Sequence, residues 1–244
     1  LESIHHRGPD SSGVVHHRSA SLGMTRLSII DLDNGDQPIN SNDNNLVLFC
    51  NGEIYNHVSL KNQFCKDYDF KSKSDVEVII PLFQKFGIES FNLLDGMFTI
   101  AILDKEKEEI ILARDRFGIK PLYYFRDHDR FIYSSEIKSI LNANPNIRLD
   151  HNVLIDFMVR GYSLYGESCW DNIKLLKPGS FLKISTQNCN EIFSDIYLKD
   201  DPIDYYLNRD EAVDDLRNAV ISSVESQLMS DVPICVFLSG GIDS

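Results

Sequence analysis

Short apolar runs separated by charged turns constrain the fold of this chain more than any other feature. The charged turns 105–108 and 126–129 each lie between two such runs. Runs of four to eight apolar residues that end at turn residues are typical of buried strands. The predicted strands cover residues 14–22, 46–50, 98–103, 110–113, 122–125, 131–133, 181–184 and 192–198. From residue 97 onward their order predicts an antiparallel β-meander.

Helix signals lie between these strands. Ser74 and Glu77 have the spacing of a capping box, and the helix that they begin should kink at Pro81 and end near Gly87. Asp150 is a predicted N-cap of a helix that reaches residue 160. Shorter helical segments are expected at residues 1–6 and 135–141. Strands and helices together predict an α+β domain over residues 1–200.

The last part of the chain has a different pattern. The acidic and aromatic segment 199–208 is interpreted as a linker between domains. Asn208 and Glu211 should begin a long amphipathic helix that extends to Met229. Residues 232–238 are nearly all apolar, as expected for a strand of a parallel sheet that is buried on both faces. We therefore predict a second domain over residues 201–244, consisting of the first helix and strand of an α/β fold.

Charge and composition exclude several classes of protein. The formal net charge of −13 disfavours nucleic acid as a partner, because the phosphate backbone would be repelled. The sequence has no apolar run near the roughly 18 residues of a membrane span, so no membrane association is expected. The five cysteines lack paired spacing, which favours a reduced, cytoplasmic protein. Since the sequence begins at Leu1 and stops on a loop motif at Ser244, we interpret it as an internal fragment.

Asn51, Gly52 and Glu53 follow the predicted strand 46–50 and form the first candidate site. The Asn51 amide and the Gly52 N–H are adjacent donors that could stabilise the oxyanion of an acyl transfer. The Glu53 carboxylate could hold a substrate ammonium. The alternative is a turn between strand and helix, in which Asn and Gly are present for their backbone conformations.

Arg26 and Asp75 also have two interpretations each. The Arg26 guanidinium suits a ligand carboxylate or a structural ion pair. Asp75 falls in the first turn of a predicted helix, where the helix dipole alone favours a carboxylate. No metal site is predicted, because His16 and His17 are neighbours in a predicted strand and would point to opposite faces.

The loop after the last predicted strand is a second candidate site. Its two glycines permit a nest of backbone N–H groups, and its serines add hydroxyl donors, which together suit a phosphate. The loop lacks the lysine of a Walker loop, and a glycine-rich turn without a ligand is the alternative. The candidate residues are Leu238, Ser239, Gly240, Gly241, Asp243 and Ser244.

Eight motifs occur in order along the chain: HRGPD at 6–10, RLSIID at 26–31, QP at 37–38, NGEIYN at 51–56, SDVE at 74–77, LDGMF at 94–98, RDRFGIKPL at 114–122 and LSGGIDS at 238–244. The set resembles class II glutamine amidotransferases, and in particular the glutaminase half of the glutamine-hydrolysing asparagine synthetases. The last motif is similar to the pyrophosphate loop of ATP pyrophosphatases. The resemblance covers nearly the whole chain and implies an Ntn-type sandwich of two antiparallel sheets flanked by helices.

The resemblance also implies roles for the candidate residues. Arg26 would bind the α-carboxylate of glutamine, Asp75 would lie against its α-amino group, and Asn51 and Gly52 would form the oxyanion hole. The loop 238–244 would bind ATP with Mg²⁺. Glutamine, aspartate and ATP would be the substrates of the longer protein, with β-aspartyl-AMP as intermediate, and a homodimer is compatible with the family.

The family's nucleophile, an N-terminal cysteine, is absent from this sequence, so the fragment alone is expected to be inactive. Cys50 is not expected to replace it, because it ends a buried strand and has no evident base nearby. Three rival functions remain open. The chain could belong to an enzyme that amidates another carboxylic acid, to a phosphoribosyl amidotransferase, or to a non-catalytic glutamine-binding module. The terminal loop argues against the phosphoribosyl amidotransferase.

Overall fold

A computed structural model describes residues 1–162, 168–198 and 208–241. The strands are β1 Ser11–His17, β2 Ala20–Arg26, β3 Ile39–Asn40, β4 Leu46–Ile54, β5 Gly96–Asp104, β6 Glu109–Arg114, β7 Tyr123–Arg126, β8 Phe131–Ser134, β9 Ile173–Leu175, β10 Ser180–Ser185 and β11 Glu191–Ile196. The α-helices are α1 His57–Phe64, α2 Ile79–Phe86, α3 Ile137–Ala143, α4 His151–Arg160 and α5 Arg209–Ser226, and 3₁₀ helices cover Glu2–Arg7, Asp75–Val78 and Gly87–Leu93. Within the described ranges, no helix is both long and apolar enough to cross a membrane.

A six-stranded antiparallel sheet in the order β11-β10-β6-β5-β4-β3 forms the centre of the fold. Successive side chains of a strand point to opposite faces, so an apolar run places residues in two layers. Leu48 and Cys50 of β4 pack into a core with residues of α2 on one face. Val47 and Phe49 pack into a second core on the other face. Burial on both sides explains why the runs 46–50, 100–103 and 110–113 of the central strands are apolar without a break.

Two small sheets cover the second face. One is the hairpin of β1 and β2, and the other has the order β8-β7-β9. Leu22 of the hairpin and Leu122 next to β7 both pack into the second core. The α+β fold and its packed antiparallel sheets are thus confirmed, with the second layer divided between two sheets in the described part of the chain.

The single strand predicted for residues 14–22 is wrong. The chain reverses at Arg18, which has a positive φ of 52°, and Val15 pairs with Leu22 across the hairpin. A turn without glycine or proline gives little sequence signal, so the two strands appeared as one.

The capping box predicted at Ser74 and Glu77 does not form. Ser74 precedes a 3₁₀ helix but makes no capping bond with its side chain. The buried Glu77 carboxylate instead accepts the backbone N–H groups of Lys71 and Ser72, each at 2.9 Å. Pro81 lies in the first turn of α2, where a missing N–H is tolerated.

Other helix signals are confirmed. Gly87 ends α2 with a φ of 58°. The Asp150 side chain accepts the backbone N–H groups of Asn152 and Val153 at the start of α4. The Asn208 side chain accepts the N–H of Asp210 at the start of α5, which ends at Ser226, three residues before the predicted end at residue 229.

In the motif at 114–122, two charged side chains hold the backbone of the following loop by hydrogen bonds. The guanidinium of Arg114 donates to the carbonyls of Gly118, Lys120 and Leu176 at 2.5, 2.7 and 2.6 Å. The fully buried Asp115 carboxylate accepts the N–H groups of Phe117, Ile119 and Lys120, at 3.1, 2.9 and 3.0 Å. The two charged side chains therefore satisfy the backbone of the loop between β6 and β7.

The strand predicted at residues 232–238 is wrong. Residues 233–239 have no regular secondary structure, and Val236, Phe237 and Leu238 are exposed. A strand requires hydrogen-bonded neighbours, and the described residues supply none for this segment. The predicted linker lies almost entirely outside the described residues, and the boundary at residue 200 stays a prediction.

Replacing Asp115 with alanine should lower the free energy of unfolding by about 3 kcal/mol or more, because several buried N–H groups would lose their acceptor. Urea unfolding measures the change. Asp129→Ala, in the exposed turn between β7 and β8, is the matched control and should change stability by less than about 0.5 kcal/mol. Equal midpoints for the two variants would contradict this role of Asp115.

Candidate functional site

The end of β4 has an open edge. Asn51, Gly52 and Glu53 lie within the strand, paired with β5, so the turn expected there is displaced to residues 55–56. Gly52 is opposite Phe98, whose N–H and C=O both bond to Asp115 on the β6 side. The pair between Gly52 and Phe98 is therefore not hydrogen-bonded, and the Gly52 N–H points away from β5.

Two side chains flank this N–H along the edge. Gln37 donates its Nε2 to the Cys50 carbonyl at 2.9 Å and accepts the Cys50 N–H on Oε1 at 2.6 Å. The Asp75 carboxylate accepts the Ile54 N–H at 2.6 Å. Cys50, Gly52 and Ile54 have the same parity in the strand, so their N–H groups share one edge. The Gly52 N–H thus lies between the N–H groups of Cys50 and Ile54, which are bonded to side chains, and it points away from the sheet at the open edge of β4.

Gly52 must be glycine for reasons of packing alone. Its φ is 154°, and a Cβ added to it would lie 1.9 Å from the Met97 carbonyl oxygen. This close approach to β5 gives Gly52 a structural role, whatever its N–H binds. The neighbouring Asn51 amide donates to the Ser135 hydroxyl at 3.4 Å.

Arg26 ends β2, and its guanidinium is nearly buried. Its Nη2 donates to the carbonyls of Ile30 and Asp31 at 2.8 and 2.9 Å, and Nη1 donates to Asp36 at 3.1 Å. These bonds use three of the five N–H groups of a guanidinium. The structure therefore gives Arg26 a structural role in the loop 30–36 and leaves further donors on the same group.

Two carboxylates, the buried Asp75 and the half-buried Glu53, lie near each other at the end of β4. Burial raises the pKa of Asp75, although the Ile54 N–H bound to its carboxylate acts in the opposite direction. Burial also raises the pKa of Glu53, as does the Asp75 carboxylate, and Lys120 lowers it. A carboxylate whose ionisation is opposed by a neighbouring carboxylate is stabilised by a cation bound beside the two groups.

A cavity of about 820 Å³ brings the candidates together. Its walls include all five residues of the first candidate site, and it continues between the two layers of sheet along apolar side chains. The five residues are Arg26, Asn51, Gly52, Glu53 and Asp75. The sequence placed them up to 49 positions apart, and the fold collects them at one end of the cavity.

Cys50 is not an available nucleophile. Its side chain belongs to the core shared with α2 and is 1% exposed. Burial raises the pKa of its thiol well above the ordinary value, and the Asp75 carboxylate adds to this effect. The sequence interpretation of Cys50 as a packing residue agrees with this position.

The described part of the terminal loop, residues 238–241, lies on the surface. Leu238, Ser239, Gly240 and Gly241 are exposed, and Gly240 has a φ of 77°. The Gly241 N–H lies 3.4 Å from the Ser239 hydroxyl, a weak contact. Asp243 and Ser244 lie outside the described residues. The structure therefore brings the first candidate site together, whereas the second, of which only residues 238–241 are described, stays a prediction.

Sequence reasoning did not assign roles to Gln37, Asp31 and Ser135. The first was noted only as part of a motif, and its bonds to Cys50 replace a strand neighbour. Asp31 holds the backbone N–H groups of Lys73 and Asn34 with its side chain. Two sequence signals could have pointed to these roles. Gln37 precedes a proline, and Asp31 is a polar residue at the end of the largely apolar motif at 26–31.

Comparisons with known proteins relate the chain to amide-transfer enzymes. At 36% identity it matches asparagine synthetase [glutamine-hydrolyzing] 1 of Bacillus subtilis, across 100% of the chain and 38% of that protein. It is 38% identical to asparagine synthetase B of Escherichia coli, across 99% of the chain and 38% of that protein. It is also 32% identical to amidase chyE of Penicillium rubens, across 100% of the chain and 36% of that protein. The chain thus spans less than two fifths of the length of these relatives.

A solved structure supports the fold. The regulatory enzyme of purine biosynthesis aligns with a TM-score of 0.51 and 22% identity over 74% of this chain and 35% of that one. The asparagine synthase profile matches residues 215–244. The profile of the glutamine amidotransferase domain matches residues 1–195, so the chain belongs to the glutamine amidotransferase domain family.

Proposed function

We propose that the cavity at the end of β4 binds glutamine and that this chain supplies the amide-donor half of an asparagine synthetase. One observation carries the proposal. Arg26 on one wall is buried and cationic, whereas the buried Asp75 and the half-buried Glu53 place carboxylates on the wall at the end of β4. A cavity with both signs of charge suits an α-amino acid zwitterion better than a simple anion or cation.

The residues of this chain would bind and polarise the donor. Arg26 would hold the α-carboxylate, and Asp75 with Glu53 would hold the α-ammonium. The side-chain amide of glutamine would then extend along the edge of β4, where the Asn51 amide and the Gly52 N–H could stabilise the oxyanion that forms when its carbonyl is attacked. Glutamate and ammonia would be the products of the donor half.

The second half of the proposed reaction uses ATP. The asparagine synthase profile over residues 215–244 supports assigning the loop 238–244 to the pyrophosphate end of ATP. Backbone N–H groups and serine hydroxyls would hold the phosphates, and Mg²⁺ would offset their charge. Aspartate would be activated as β-aspartyl-AMP, and ammonia would displace AMP. We place these reactions in the cytoplasm, in keeping with the unpaired spacing of the cysteines.

A second function is favoured by the relatives named amidases. Amidase chyE covers the whole of this chain at 32% identity. The donor cavity would be the same in such a protein, and another carboxylic acid would replace aspartate. Product analysis with aspartate and with other acids separates the two proposals.

The decisive experiment concerns Arg26. In a full-length protein that contains this chain, Arg26→Ala should lower glutamine-dependent activity about tenfold or more, because a buried charge-assisted contact with the substrate is lost. Synthesis from free ammonia should be largely unchanged. Arg130→Ala, an exposed arginine of the β7–β8 turn, is the control and should leave both activities unchanged. Equal losses with glutamine and ammonia would show that Arg26 is only structural.

Asn51→Ala tests the oxyanion role. Turnover of glutamine hydrolysis should fall by about 10²–10³, with little change in the affinity for glutamine, because the amide would act mainly on the transition state. Steady-state kinetics measure both quantities, and thermal melting checks the fold. Asn142→Ala, on the exposed face of α3, is the control. If Asn51→Ala no longer melts cooperatively, the loss of activity would come from unfolding, and Asn51 would have a purely structural role.

Asp243→Asn tests the ATP half. Asp243 and a phosphate are both anions, so Asp243 would act through Mg²⁺, and removing its charge should abolish the conversion of ATP to AMP. Glutamine hydrolysis should continue. Pyrophosphate release and glutamate formation are measured in parallel with aspartate present. Normal pyrophosphate release would refute the assignment of this loop to ATP.

A further inference from the structure

Asp231 joins the segment after α5 to the loop that holds Arg26. Its backbone N–H donates to the Ile29 carbonyl at 2.9 Å. Its carboxylate oxygen Oδ2 accepts the backbone N–H of Asp31 at 2.7 Å, across 200 positions of sequence. A carboxylate that accepts a backbone N–H forms a charge-assisted bond, which is stronger than a bond between neutral groups.

Asp31 connects this contact to Arg26. It is buried and has a positive φ of 51°, an uncommon conformation that surrounding contacts must hold in place. Its carbonyl and that of Ile30 both accept Nη2 of Arg26. The Asp231 carboxylate binds the N–H of the same residue, so it fixes the peptide whose carbonyl orients the guanidinium.

Asp31 also connects the contact to Asp75. Its Oδ2 accepts the backbone N–H of Lys73 at 2.7 Å, two residues before Asp75. Asp75 in turn holds the Ile54 N–H at the edge of β4. One residue therefore links the cationic wall of the cavity to the anionic wall, and Asp231 is bonded to that residue.

The segment that provides Asp231 is largely exposed, and Asp231 itself is exposed between the half-buried Ser230 and Val232. Helix α5 has no buried residue, and residues 233–241 are exposed. The contact therefore adds little to the apolar cores. Its effect should fall on the loop 30–36 and not on the stability of the whole fold.

We propose that Asp231 is a positioning residue of the donor cavity, contributed by the segment that leads to the candidate ATP loop. It touches no ligand and acts through Asp31 on Arg26 and on the segment before Asp75. This inference rests on the proposed binding of glutamine.

Kinetics of a full-length protein that contains this chain test the proposal. Asp231→Ala should raise the KM for glutamine about tenfold, with kcat changed less than about threefold, because the cavity loses its preorganised arrangement and not a reacting group. Asp231→Asn keeps an acceptor oxygen and should restore most of the affinity. Synthesis from ammonia should be unchanged in both variants. Asp215→Ala, an exposed carboxylate of α5, is the control.

Hydrogen exchange on the 244-residue chain tests the contact without any substrate. Asp231→Ala should speed exchange of the Asp31, Gly35 and Lys73 amides, whereas amides of the central sheet keep their protection. Unchanged exchange in the loop, or an unchanged KM in an active full-length variant, would overturn the positioning role alone. A full-length wild-type protein that does not hydrolyse glutamine would overturn the proposed function, and the positioning role with it.

Discussion

The site depends on how the backbone groups of β4 are satisfied beyond the end of β3. Strand β3 has only two residues, so β4 continues past its neighbour on that side. Buried N–H groups require partners, and an open strand edge would otherwise pair with another chain. Gln37 and Asp75 provide these partners with side chains and leave the Gly52 N–H between them. A donor directed into a cavity therefore arises from the shortness of one strand.

The strands that the sequence predicted well are those buried on both faces. In β4, β5 and β6 the apolar runs 46–50, 100–103 and 110–113 pack alternately into the two cores, so apolar content alone identified these strands. Strand β1 alternates between half-buried and exposed positions, the first four residues of β2 alternate between buried and exposed ones, and the chain turns at Arg18. Because this hydrophobic pattern is weaker, the sequence predicted a single strand over residues 14–22 in place of the hairpin. The segment 232–238 shows the opposite error, because apolar residues there have no partner strand in the described structure.

The chemical types of the site residues were predictable, but their partners were not. Glu77 has the spacing of a capping residue, yet it binds the turn that precedes its own helix. Gln37 and Asp31 bind backbone groups 13 and 42 positions away. Contacts of this kind depend on where the fold brings the chain back, which no local pattern encodes. Resemblance to a family supplied the candidate residues, and only coordinates could supply the network that holds them.

The same network orients Arg26 without giving it a buried counter-charge, which is compatible with the proposed role in binding a ligand. Its Nη2 is bound by carbonyl groups, which orient the guanidinium but carry no net charge to neutralise it. The only carboxylate bonded to it in the described structure is Asp36, whose side chain is 66% exposed and therefore screened by water. A buried cation with so weak a counter-charge favours an incoming carboxylate. Orientation by neutral carbonyls, with neutralisation left to an incoming carboxylate, is thus what the proposed binding of glutamine would require of Arg26.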